Sequence, residues 1–230
     1  MMYLGFVDMN AGFLIIIAAM ILGLFARSMV TGTYQRFSKV ATGKGMTGAR
    51  TAREILDSYG LSNIDIQQTG GQLTDHYDPR NGVLKLSSGV YHGSSIAAVG
   101  VAAHEAGHAV QDAMGYSPFQ LRQKLVPVAS LGSQMLFPLI IGGLFFRMTE
   151  LYYIGAALYG AALLFQLVTL PVEFDASRRA VVYLRQSGSM STGELSGVKK
   201  VLRAASLTYV AAALASLGQM IWLLLAGRRR

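Results

Sequence analysis

The chain has 230 residues, 52% of them hydrophobic and 14% charged, with a formal net charge of +8 and a mean hydropathy of +0.40. That is too apolar for an ordinary soluble domain, and a membrane protein is the class that fits. The lack of cysteine excludes disulfides, thiolate metal sites and a cysteine nucleophile, and basic residues spread along membrane-proximal segments speak for lipid headgroups and against nucleic acid.

The first predicted element is a transmembrane anchor over 9–27, in the charge-free window between Asp8 and Arg27. No Lys or Arg precedes it, so it reads as an uncleaved anchor rather than a signal peptide. Residues 28–124 follow as a small α+β domain. Thr51 to Tyr59 predicts a short helix ended by Gly60, Asp78-Pro79-Arg80-Asn81-Gly82 predicts a turn, and the alternation of Val83 to Ser87 predicts a strand. That strand either lends a free edge to an extended peptide or pairs within the domain.

The next element is the most informative. Ser94 or Ser95 caps a helix over 95–114, about 30 Å long, with Gly115 and Pro118 as its stop. Inside it stands His104-Glu105-Ala106-Gly107-His108. The four-residue spacing stacks both imidazoles on one face, where they can share a Zn²⁺, with Glu105 beside the remaining coordination position as general base. The alternative is a pair of core histidines satisfied by neighbours. Glu105 would then be a third polar group in an apolar helix, at a cost of about 1–3 kcal/mol for each unsatisfied group.

Two further charge-free windows form a predicted transmembrane hairpin over 125–172, and a last one a transmembrane helix over 204–227. Of the twenty Lys and Arg residues, those between the first two spans and those between the last two outnumber Arg147 in the hairpin turn, which places the larger segments in the cytoplasm. Arg228, Arg229 and Arg230 run against this. Either the last window dips in without crossing, or the long segments outvote the tail, and the second is favoured.

A catalytic zinc needs a third protein ligand. Asp112 shares the helix with His104 at about 12 Å, too far for one ion, and Glu150 belongs to the hairpin turn on the opposite side. Glu173 opens the segment 173–203, on the side of the zinc helix, as a ligand or as an N-terminal carboxylate of a new helix begun after Pro171. Asp175 is the substitute.

H-E-A-G-H-A-V-Q, the upstream Asp75-His76-Tyr77-Asp78-Pro79 and the downstream Val172-Glu173-Phe174-Asp175-Ala176-Ser177 together resemble the YugP-type neutral zinc metallopeptidases of bacteria. The resemblance covers essentially the whole chain. More distantly the arrangement is similar to membrane proteases of the CAAX-prenyl endopeptidase and heat-shock HtpX type. It implies His104, His108 and Glu173 as ligands of one Zn²⁺. In the distant pattern an Asp orients a ligand histidine, and Ser177 stands in that place here; Asp175 is free to pair with Arg178 or Arg179 instead. Among His76, Tyr77, Tyr91, His92 and Arg178 as donors to the oxyanion of hydrolysis, His76 is preferred for its place in the D-H-Y-D-P stretch.

The expectation is therefore a mainly α membrane protein of about four transmembrane helices with a small α+β, zincin-like metallopeptidase domain. It sits in the inner or plasma membrane and hydrolyses peptide bonds of peptides or membrane proteins at the cytoplasmic face, with catalytic Glu105 and His76. The competing reading is a membrane scaffold with a structural zinc site, which normally has four protein ligands. A transporter is disfavoured because no span holds an ionisable residue.

Overall fold

The computed structural model describes residues 2–146 and 148–227; Arg147 and Arg228 to Arg230, which carry the turn and tail charges, lie outside the described residues. In chain order come α1 (Met2–Ser38), α2 (Gly48–Ser58), β1 (Asp65–Thr69), β2 (His76–Asp78), β3 (Val83–Ser87), α3 (Ser88–Tyr91), α4 (Ile96–Ala113), α5 (Ser117–Phe145), α6 (Thr149–Gln186) and α7 (Thr192–Gly227). Two compact units result, one of residues 27–119 with 171–207, the other of the remaining stretches of α1, α5, α6 and α7.

In the first unit the three strands order as β1-β3-β2, with β1 parallel and β2 antiparallel to β3. The strand before the metal-motif helix is therefore central. It has no free edge to lend to a peptide, which corrects that alternative; the free edges belong to β1 and β2. Burial dictates the order, because Leu84 and Leu86 of β3 are fully enclosed and pack with Ile55 and Leu56 of α2 and Val99, Ala103 and Val110 of α4. A strand with that much apolar surface belongs between neighbours.

Helix α4 starts where Ser95 accepts a hydrogen bond from the amide of Ala98 and stops at Gly115, whose φ of +63° ends the helix without a Cβ penalty. Glu173 does not open a helix. It lies inside α6, which runs unbroken through Pro171. The reason is a single buried stripe at four-residue spacing, Val172, Ala176, Ala180 and Leu184, which continues one helical register past the proline. Helix α7 does the same, burying Leu195, Val198 and Leu202 before its apolar run begins.

Close helix approaches are made by glycines. A Cβ on Gly107 of α4 would stand 2.9 Å from the carbonyl oxygen of Ala176 in α6, and one on Gly100 would stand 3.3 Å from Val198 of α7. The metal-motif helix is thus seated directly on α6 and α7.

The described residues hold four helices long and apolar enough to cross a membrane, in α1, α5, α6 and α7. In the second unit Leu14, Ile21, Phe137, Ile141 and Leu224 are all more than half exposed, an apolar surface that water would not tolerate on this scale. Gly132 permits the tightest packing there, since its Cβ would fall 2.2 Å from the carbonyl oxygen of Leu158.

Candidate metal centre

His104 and His108 lie one turn apart on α4, with ring centroids 4.7 Å apart, and both are buried. Glu173 reaches them from α6. Its Oε2 is 3.1 Å from Nε2 of His104 and 3.6 Å from Nε2 of His108, and the side chain is 2% exposed. The three ligand atoms lie within 4.8 Å of one another, the one grouping of this kind among the described residues. A carboxylate so deeply buried needs positive charge or donors around it.

The outer nitrogens are held as well. Nδ1 of His108 is 3.0 Å from Oε1 of Gln111, whose Nε2 donates to the Val172 carbonyl at 2.8 Å and to Asp175 at 3.0 Å. Those two acceptors fix the amide orientation, so Oε1 accepts from Nδ1–H of His108, leaving Nε2 as the lone-pair nitrogen facing Glu173. Nδ1 of His104 is 3.1 Å from the hydroxyl of Ser177, so the serine in the place of the orienting Asp meets the same ring from behind. Two imidazole nitrogens and one carboxylate oxygen form a donor set suited to zinc, and three ligands leave a position open. These residues fit the ion.

Glu105 follows His104 on the helix and is half-buried, on a rim that solvent reaches. Asp175 does not join the three; it pairs with both Arg178 and Arg179 while accepting from Gln111. Asp112 points elsewhere too, accepting from the Tyr77 hydroxyl at 3.0 Å. Burial, and then the Asp112 carboxylate, push the Tyr77 phenol well above its ordinary range, so it stays a donor.

The D-H-Y-D-P stretch divides its work. Asp75 accepts from the amide and hydroxyl of Ser87, tying β2 to the end of β3, and burial raises its carboxyl against those bonds. Asp78 accepts from the amide of Arg80 and from Asn81, building the turn. His76 is exposed on edge strand β2, with Nδ1 2.8 Å from the Thr74 carbonyl. His92 is exposed and bonds Gln68.

The profile of a family described as "Putative neutral zinc metallopeptidase" matches residues 12–228. The chain belongs to that family. A relative in Bacillus subtilis (strain 168), described as "Putative membrane protease YugP", is 45% identical over 205 residues, covering 89% of this chain and 91% of the relative. No solved structure matches. Membership in this family, with the four apolar helices, marks the chain as a membrane protein whose two histidines and one glutamate could hold zinc.

Reading the sequence alone missed two residues. Gln111 lies inside the H-E-A-G-H-A-V-Q run, three positions after His108, and that spacing on a helix puts it against the same ring. Gly107 sits mid-helix at a cost of about 1 kcal/mol relative to Ala, a sign that another backbone comes close.

Proposed function

We propose that this chain is a zinc-dependent endopeptidase that crosses the membrane on its four apolar helices and cleaves peptide bonds at the cytoplasmic face. The carrying observation is the convergence of His104 and His108 with buried Glu173, beside a Glu105 that solvent can reach. When bound, zinc supplies the Lewis acidity that makes water a nucleophile near neutral pH. Glu105 takes the proton of the attacking water and delivers it to the leaving amine, which requires a carboxylate near the open position and off the ion. Gln111 holds His108 in the tautomer that turns a lone pair of Nε2 inward, and Ser177 meets Nδ1 of His104 behind its ring.

His76 is the proposed donor to the oxyanion. The contact of its Nδ1 with the Thr74 carbonyl fixes the ring on edge strand β2 and leaves Nε2 as the atom that turns outward. In the His76→Phe variant, cleavage falls while zinc content stays the same; cleavage at the parental rate removes His76 from the site.

Glu105→Gln tests the central reading. Zinc stoichiometry is expected to hold while cleavage of an unstructured reporter peptide drops by about 10²–10⁴-fold. A zinc-replete variant that still cleaves at the parental rate refutes the base assignment. The scaffold reading gives no cleavage in either protein, and it leaves Glu105 without a purpose. Because the chain has no cysteine, a single Arg80→Cys reports topology. A membrane-impermeant maleimide should label it only in inverted vesicles.

A further inference from the structure

A groove of about 460 Å³ runs between α6 and α7 in the unit that holds the candidate metal centre. On α6 it follows one stripe of the helix, Phe174, Arg178, Val181 and Arg185, about 16 Å along the axis. On α7 it is met by Lys199, Leu202 and Arg203, where Arg203 is the last charge before the apolar run to Gly227. Its floor is apolar and its rim cationic, and no acidic side chain lines it.

Three of those cations are uncommitted. Arg178 is paired with Asp175, but the side chains of Arg185, Lys199 and Arg203 have no hydrogen-bond or ion-pair partner among the described residues. Three like charges around one concavity, all exposed, raise the local positive potential and favour an anion between them. A second, smaller groove of about 260 Å³ on the other side of α7 repeats the pattern, with Arg36 and Lys200 on its rim, and shares Arg203. An apolar wall that continues into a membrane-length helix, under a cluster of unpaired guanidinium and ammonium groups, matches an amphiphile with a phosphate at one end and acyl chains at the other.

We propose that the groove between α6 and α7 is a binding site for an anionic phospholipid. The phosphate lies among Arg185, Lys199 and Arg203, and an acyl chain lies along Val181, Leu202 and Phe174. The proposal rests on the membrane reading of α6 and α7 but not on catalysis. Ser177, which reaches His104 from behind, also lines the groove, so an occupant would lie against the support of a metal-site histidine.

The test uses the full chain in neutral detergent, titrated with dioleoyl phosphatidylglycerol or dioleoyl phosphatidylcholine and read by native mass spectrometry. The expected result is preferential retention of phosphatidylglycerol. In Arg185→Gln/Arg203→Gln its affinity falls by about thirty-fold, and in the charge-matched control Arg50→Gln/Arg80→Gln it stays at the parental value. Equal binding of the two lipids, or equal loss in both double variants, overturns the proposal. Displacement of phosphatidylglycerol by millimolar inorganic phosphate assigns the groove to a free anion and overturns the lipid. Displacement by a soluble acidic peptide assigns it to a substrate segment and overturns the lipid equally. Zinc content and membrane partitioning are measured on the same preparations. A chain that fails to partition into vesicles sinks the membrane reading along with the lipid site, whereas normal partitioning without lipid preference sinks the lipid site alone.

Discussion

Replacing Gln111 by Leu separates the part of the site that binds metal from the part that holds the fold. The side chain is fully buried and makes three hydrogen bonds, to His108, Val172 and Asp175. Two of the three partners keep other support. The Val172 carbonyl remains in the helical ladder of α6, and Asp175 keeps Arg178 and Arg179. Only Nδ1–H of His108 is orphaned, at about 1–3 kcal/mol, and Leu recovers part of that through its own burial. The damage therefore concentrates on one imidazole, which is free to turn or to move its proton to the nitrogen that should face the ion. Loss of an outer partner of this kind weakens metal binding by about 10–100-fold, or about 1.4–2.7 kcal/mol. Competition against a chromogenic zinc chelator measures it directly, and thermal unfolding of the chelated protein should shift far less. Gln111→Glu restores an acceptor for His108 but sets a carboxylate against Asp175, so it should bind zinc more tightly than the Leu variant while melting earlier. A Leu variant with parental zinc affinity would refute the claim that Gln111 orients His108.

Two more substitutions probe the same geometry. Ser177→Asp exchanges a neutral partner of His104 for a carboxylate, whose hydrogen bond is roughly twice as strong, and zinc affinity should rise above the parent while Ser177→Ala falls below it; the reverse order in chelator competition counts against the assigned contact. Gly107→Ala drives a methyl to 2.9 Å from the Ala176 carbonyl, so α4 and α6 must part, costing about 1–3 kcal/mol. Because Glu173 arrives on the displaced helix, zinc occupancy should drop along with the melting temperature, and a variant that melts early yet binds zinc normally shows that the approach matters for packing only.

What the sequence made legible was local. The four-residue spacing of His104 and His108, the cap at Ser95 and the stop at Gly115 each depend on neighbours within one or two turns, and each was readable from them. The four apolar helices follow from composition in the same way. Glu173 needed one step more, the return of a hairpin to its point of departure, and the structure brings it to both rings. Strand order was not legible. Which side of β3 is covered depends on β1 and β2 arriving from loops whose lengths do not dictate their direction. Continuity of α6 was misread for a physical reason. Pro171 is a boundary signal in water, but burial of Thr169 one turn before Val172, where the buried stripe begins, outweighs one missing amide hydrogen bond.

The distribution of charge explains why Glu173 cannot be exchanged as freely as the residues behind the histidines. Behind His104 stands a neutral hydroxyl, and behind His108 a neutral amide that leads to Asp175, whose charge is matched by Arg178 and Arg179. Neither route delivers net negative charge to the rings. Among the three converging ligands only Glu173 is anionic, and it is the one almost wholly withdrawn from water. A buried carboxylate without a compensating cation costs several kcal/mol, so without metal Glu173 depends on Nε2 of His104, 3.1 Å away, as its donor. The arrangement is consequently tuned to a dication: it gains most when positive charge enters, and neutralising Glu173 removes that gain at its source, whereas changes at Gln111 or Ser177 only loosen the rings that share it.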